Sequence, residues 1–452
     1  MWYNGFMNIF VGVVVGLVVL MILVVAHEFG HFIMSRKNGV SVLEFGIGFP
    51  PRAIAWIKDP KTHKWRRLKR SEWDKAGIAK TVGVEKSTSG AEKQTALPSV
   101  SAKDKKILQD GLIFSINWLP IGGFCQMDGE SAVDTREGTF GKASFWKKTK
   151  ILFGGVMMNW IVAWLILTIL AWVGMPTFIE NQFTIEADTR VEQTPVKVKA
   201  VHEDSPAKKA GFLENDYILK VNGEEVKTGL DITAINKNNA GKEVKYTIQR
   251  EVHPKCIDDC DNLTEQMLDV ELTATLNPAD AEYLLGVTME SSDSLAYSTW
   301  SAPIKAAGLT LQLTGETFKG LGELVWNLIS GVGRQLSFDD SVRESGREAI
   351  ETVGDSVTGP VGIIGILFPT FTSMGPANLA FLAAVISISL ACMNVLPIPA
   401  LDGGRWTLIA IFKLRKKKLT KEIEEKIVAR AFMVLLGLIV LVTILDITRF
   451  FR

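Results

Sequence analysis

His27-Glu28-Phe29-Gly30-His31 holds the residue types of a hydrolytic zinc site, at the spacing that a helix requires. On a helix, His27 and His31 at i and i+4 stand one turn apart on one face, where both imidazoles can bind one zinc ion. Glu28 projects beside them as the candidate general base. Zinc lowers the pKa of a bound water from ~15.7 to ~7, and a carboxylate can take that proton and pass it to a leaving amine. A catalytic zinc takes three protein ligands and keeps one position open. Asp402, which ends the run Asn394-Val395-Leu396-Pro397-Ile398-Pro399-Ala400-Leu401, is the candidate third ligand. The plain alternatives are a helix end with exposed histidines and an Asp-Gly turn that closes a helix.

The surrounding elements decide between these readings. Residues 1–26, 151–179 and 356–401 carry no charged side chain, and a shorter apolar run covers 431–445. A spanning helix needs ~20 mostly apolar residues, so the chain reads as a multi-spanning membrane protein. The first run lacks a basic start and a small-residue cleavage signal, and is expected to remain as a span. A span that begins near Met7 puts His27 ~30 Å along the helix, at ~1.5 Å per residue. That is the edge of the hydrocarbon, where ionisable groups mark functional sites. Lys+Arg and Asp+Glu number 50 and 49, so no global charge points to nucleic acid.

Basic residues set the orientation. They dominate 51–106, crowd the entry to the second run at Lys142, Lys147, Lys148 and Lys150, and form KLRKKK at 413–418. These segments are expected in the cytoplasm, which gives four crossings and an N-terminus on the opposite side. Asp402 then reaches the cytoplasmic side, level with His31. The third run is expected to hold one span, preceded by a partly buried piece around 359–365. The two prolines at 397 and 399 break the helix, and freed carbonyls at that depth need protein or a water-filled cavity beside them.

The expected layout is a first span at 7–34, a cytoplasmic membrane-associated β-region with a polar insertion at 35–140, and a second span at 150–174. A compact α+β domain at 190–290 and amphipathic helices at 291–355 follow outside the cytoplasm. A loop and third span at 356–404, a basic loop at 405–427 and a fourth span at 428–447 complete it. In the α+β domain, alternation marks strands at 196–201, 216–221, 243–250 and 268–276, with a hairpin signal at Asn222-Gly223. Residues 299–332 read as one or two amphipathic helices. Cys256 and Cys260 lie close together in a polar stretch; a local disulfide and two free thiols are both open.

With these residues in place, the sequence resembles the site-2 protease family, in its bacterial regulator-of-sigma-E protease group. The zinc motif is at 27–31 and Leu401-Asp402-Gly403 resembles the third-ligand motif. Phe45-Gly46-Ile47-Gly48-Phe49 and Leu119-Pro120-Ile121-Gly122-Gly123-Phe124 resemble the two ends of the membrane-associated β-region. Gly359-Pro360-Val361-Gly362-Ile363 matches the loop before the third span. The resemblance implies an intramembrane zinc endopeptidase of the bacterial inner membrane. Its expected substrates are single-span membrane proteins, such as pre-trimmed anti-sigma factors or remnant signal peptides. It also implies that Asn394, Pro397 and Pro399 line the substrate site. An Asn in a span offers donors and acceptors to an unwound substrate backbone, and an interhelical hydrogen bond is the alternative.

The extracytoplasmic segment resembles a PDZ domain at Asp204-Ser205-Pro206-Ala207, Ala210-Gly211, Asn215-Asp216-Tyr217-Ile218 and Asn222-Gly223, with Leu284-Leu285-Gly286-Val287 at the carboxylate-binding loop. Such a domain would capture chain ends or act as a size filter. Many relatives carry two such domains, and one is readable here. The second span has Val156 where the family motif has proline, and keeps Asn159, which is expected to pack or order the site. The polar insertion at 58–101 has no assigned role. Two readings from other classes compete: a PDZ scaffold with a structural zinc, which has no use for Glu28, and a metal transporter, for which an inverted repeat is missing.

Overall fold

The computed structural model describes residues 2–59, 62–70, 111–130, 136–179, 181–193, 195–226, 229–252, 266–278, 283–290, 294–335, 339, 341–348, 359–417 and 419–450. Most of the polar insertion, and the pair Cys256 and Cys260, lie outside the described residues. In chain order the first elements are α1 (Trp2–Lys37), β1 (Val42–Lys58), β2 (Trp65–Arg67), β3 (Leu112–Met127), α2 (Phe145–Val173), β4 (Met175–Pro176), β5 (Thr189–Gln193) and β6 (Val196–Val201). Then come α3 (Pro206–Ala210), β7 (Tyr217–Val221), β8 (Glu224–Glu225), α4 (Gly229–Asn238), β9 (Glu243–Val252) and β10 (Gln266–Thr275). Last are β11 (Val287–Glu290), β12 (Ser294–Ser298), α5 (Ala302–Gln335), α6 (Pro376–Val395), α7 (Asp402–Leu414) and α8 (Lys421–Phe450). The chain divides into two compact units, Met1–Leu170 with Ser301–Arg452, and Ala171–Trp300.

Among the described residues, four helices are long and apolar enough to cross a membrane: Ile9–Lys37, Phe145–Val173, Pro376–Val395 and Lys421–Ile444. A helix satisfies its own backbone, the condition for crossing hydrocarbon. The third uncharged run holds α6, preceded by a shorter apolar helix, Pro360–Ser373. Small residues let the helices approach. Gly12 and Gly16 of α1 lie against Pro369 and Phe368 of the short helix, and Gly30 of α1 meets Gly154 of α2. Ser387 on α6 donates its hydroxyl to the carbonyl of Asn159 on α2 at 2.9 Å.

The β-region turns two chain segments into four runs, because β1 and β3 each fold back on themselves. Residues 112–117 lie between 42–47 and 52–58, while 123–127 pair along the other side of 42–47. The folds fall at the cis Pro50-Pro51 bond and around Gly122; Gly48 and Gly122 both have φ +75°, which glycine adopts without a steric cost. Glu44 ties three of the runs together. Buried to 2% exposure, it accepts from Arg52 Nη2 at 2.5 Å, Arg52 Nε at 3.0 Å and the Ser115 hydroxyl at 2.7 Å. The run 123–127 is left as an edge of the sheet.

Two helices extend beyond the stretches that mark them in the sequence. Helix α5 is one continuous helix through 302–335 that packs along α6, with Ala302, Ala306, Leu309 and Leu313 buried. Helix α8 starts at Lys421, before the apolar run, and the buried residues among those described in it are Glu424 and Asp446. Asp446 accepts from the N–H groups of Gly359 at 3.2 Å and Gly362 at 2.9 Å. These donors are orphans of the helix start at Pro360.

The second unit has a sheet ordered β10-β9-β7-β6-β11, with β8 on β7, and a separate sheet β4-β12-β5. Val196, Val198, Ile218, Val221, Val244, Tyr246 and Ile248 form its core. Strands β7, β9 and β10 fall within two residues of the alternating stretches. The sheet β4-β12-β5 has no counterpart in that reading. Ser205 caps α3 by accepting from Lys208 N–H at 3.2 Å, and Gly211 ends it at φ +90°. Asp216, 1% exposed, is held by Arg250 through two hydrogen bonds of 2.7 Å.

Candidate metal centre

Helix α1 puts His27 and His31 on one face, with ring centroids 4.8 Å apart. Asp402, the first residue of α7, meets both. His27 Nε2 stands 3.1 Å from Asp402 Oδ2, His31 Nε2 stands 3.2 Å from the same oxygen, and the two Nε2 atoms are 3.2 Å apart. Tetrahedral zinc with bonds of ~2.0–2.1 Å requires ligand atoms ~3.3 Å apart, so the triangle has the size of one zinc face. The proton positions agree. His31 Nδ1 donates to the Ile151 carbonyl at 2.9 Å, which leaves its Nε2 lone pair aimed at a carboxylate oxygen. Converging acceptors of this kind fit a cation. His27, His31 and Asp402 would hold it, and three protein ligands leave the open position of a catalytic site.

Glycines make the approach possible. Gly155 of α2 faces the two imidazoles so closely that an added Cβ would stand 2.6 Å from His31 Nε2 and 2.7 Å from His27 Nε2. Gly403 and Gly404 follow Asp402 and lie on the backbone of Val395, Leu396 and Ile398, with no space for a side chain. The break after α6 thereby sets where α7 begins, and so where Asp402 points. Two side chains of α7 anchor it. Trp406 Nε1 donates to Thr149 Oγ1 on α2 at 2.9 Å. The Arg405 guanidinium bonds the carbonyl and side chain of Glu130, lies 3.5 Å from Glu424 of α8 and covers the Phe140 ring at 5.0 Å.

The ligands open into a cavity of about 250 Å³ that Glu28, Cys125 and Asn394 also line. The Cys125 backbone lies beside the Glu28 carboxylate, so the edge run 123–127 borders the candidate base. A groove of about 900 Å³ adjoins this cavity through Met127, Glu130 and Asp402, and Pro399 lies in its wall. Asn394 donates its amide to the Leu390 carbonyl of its own helix at 3.0 Å. Pro397 is exposed and lines neither space. Burial pushes the Cys125 thiol far up, and the Glu28 charge adds to this.

The sequence reading did not include Gly155, Arg405 and the Cys125 backbone in the site. Gly154-Gly155 inside a span was a legible sign of close helix approach. Nothing in the local pattern marks a strand N–H or an arginine after an Asp-Gly-Gly turn.

Residues 15–69 and 103–439 match the model of peptidase family M50. The stretch left between them falls almost wholly within the polar insertion. The chain is 26% identical to the regulator of sigma-W protease RasP of Bacillus subtilis, over 95% of this chain and 96% of that protein. It is 24% identical to the zinc metalloprotease RasP of Oceanobacillus iheyensis, over 95% and 97%. It is 26% identical to the probable protease eep of Enterococcus faecalis, over 95% and 97%.

Proposed function

Because the chain belongs to peptidase family M50, whose members are zinc metalloproteases, we propose that it hydrolyses peptide bonds inside the transmembrane segments of single-span membrane proteins. Pre-trimmed anti-sigma factors and remnant signal peptides are the substrate types, in line with the sigma-W role in the name of one relative. The observation that carries this reading is the ligand triangle of His27, His31 and Asp402, formed between two residues within one span-length helix and one residue beyond another. Bound zinc would supply a Lewis acid that polarises the scissile carbonyl and makes water acidic near neutral pH.

The chain's own groups do the rest. Glu28 lines the cavity beside the ligands, where its carboxylate takes the proton of the attacking water and returns it to the leaving amine. A helical substrate keeps its carbonyls bonded to its own N–H groups, so it must unwind before attack. The edge run 123–127 offers the unwound segment backbone partners in the manner of an added strand. Asn394, in the wall of the cavity, presents amide groups to the same segment, with Pro397 and Pro399 shaping the approach.

The orientation follows from the basic loops: the N-terminus and the second unit lie outside the cytoplasm of a bacterium, and the metal centre lies near the cytoplasmic face of its plasma membrane. The second unit acts as a PDZ domain that receives extended chain ends or excludes large ectodomains. Purified protein in detergent, given a single-span substrate, tests the enzyme reading. A chelator should stop cleavage and added zinc should restore it. Zinc flux in proteoliposomes with no cleavage of any single-span substrate would replace this reading with transport.

A further inference from the structure

The metal triangle uses one nitrogen of His27 and leaves the other to be explained. With Nε2 directed at the metal, a neutral imidazole carries its proton on Nδ1. His27 is 8% exposed, so that N–H needs an acceptor within the protein. The group that faces it belongs to Asn159 on α2, whose amide nitrogen Nδ2 lies 3.4 Å from His27 Nδ1. That sets donor against donor. Meanwhile Asn159 Oδ1 is buried with no hydrogen-bond partner, on a residue 1% exposed.

The two faults have one remedy. The oxygen and nitrogen of a side-chain amide are nearly isosteric and are distinguished by their partners. Half a turn about the terminal bond brings Oδ1 to His27 Nδ1, which removes the conflict and gives the buried oxygen its donor. The same arrangement then holds for both histidines, since His31 Nδ1 donates to the Ile151 carbonyl. Ile151, Gly155 and Asn159 stand at i, i+4 and i+8, on one face of α2. The stripe reads acceptor, gap, acceptor, with the Gly155 gap taking the two rings.

We propose that Asn159 is a positioning residue for His27, accepting its Nδ1 proton through Oδ1, and that α2 fixes the metal-binding tautomer of both histidines. This rests on the zinc site proposed above. Partners of this kind orient the ring, and their loss typically lowers metal affinity ~10–100-fold. The test is zinc affinity of the full-length protein in detergent, measured with zinc alone against a chromophoric chelator, with unfolding of the metal-free protein followed alongside.

Asn159→Leu should bind zinc ~10–100-fold more weakly, while Asn159→Asp, which keeps an acceptor, should recover most of the loss. Metal-free stability should differ little between these two variants. If the amide is a donor, Asn159→Asp will lose as much as Asn159→Leu, and the proposal falls. Equal zinc affinity in Asn159→Leu and the unchanged protein overturns it too. Asn159→Ala decides the same question should Leu disturb the helix crossing. Failure of the unchanged protein to bind zinc would instead overturn the metal centre itself.

Discussion

Gly155→Ala is the smallest change that should disable the centre. The new Cβ would stand 2.6 Å from His31 Nε2 and 2.7 Å from His27 Nε2, against the ~3.4 Å at which ordinary contact begins. Something must move by roughly 0.8 Å, the difference between 3.4 Å and 2.6 Å. Helix separation is obstructed by the Gly30–Gly154 crossing and by the bond from Ser387 to Asn159, so the displacement falls on the imidazoles. Metal sites tolerate ~0.2 Å in bond length. Zinc affinity should therefore fall at least tenfold, about 1.4 kcal/mol, and cleavage ~100-fold, as for other ~1 Å misplacements. Packing strain adds ~1–3 kcal/mol of lost stability. Chelator competition reads the first effect and cleavage of a single-span substrate the second. Gly320→Ala is the control: it lies in α5 with no atom near an added Cβ and should stabilise the helix by ~0.5–1 kcal/mol. Unchanged zinc affinity and cleavage in Gly155→Ala would refute the role given to the gap.

Three further outcomes are expected. The Cys125 thiol should resist maleimide at pH 8 in the folded protein and react after denaturation in SDS, because burial raises its pKa. Its contribution to stability is whole below the unfolded thiol value of ~8.5 and declines as the pH rises above it; fast labelling at pH 8 would contradict this. Asp216→Asn leaves Arg250 facing a neutral partner in the second unit and should cost ~3 kcal/mol, visible as faster hydrogen exchange in β7 and β9. Trp406→Phe removes the bond to Thr149 and should weaken zinc binding severalfold with little change in the helices, as chelator competition and circular dichroism would show.

Much of this centre was legible in the sequence because its determinants are local. The i, i+4 histidines need one helix, and the uncharged run that contains that helix declares itself by composition. Asp402 was named from an expected topology, in which basic loops bring the end of the third run to the side of His31; the structure brings it to 3.1 Å from His27 and 3.2 Å from His31. What was not legible depends on distant packing. Asn159 and Ile151 become partners of the histidines through the Gly30–Gly154 crossing, and no periodicity encodes which faces of two apolar helices meet. The β-region shows the same limit. Its glycines and prolines mark turns, but Glu44 with Arg52 and Ser115 sets the register of three runs across some seventy residues of sequence. Pro397 follows the end of α6 and is exposed; a proline marks a change of chain direction, and which residues line the cavity depends on how the following helix packs.

Mapping the bond cut in a reconstituted single-span substrate tests the central claim most directly. The protein and its Glu28→Gln variant would be compared in liposomes at equal zinc content, with product termini read by mass spectrometry. Cuts inside the apolar segment, absent in the variant although it holds zinc, are the predicted result. Cuts confined to the soluble flanks, or equal cleavage by Glu28→Gln, would contradict it.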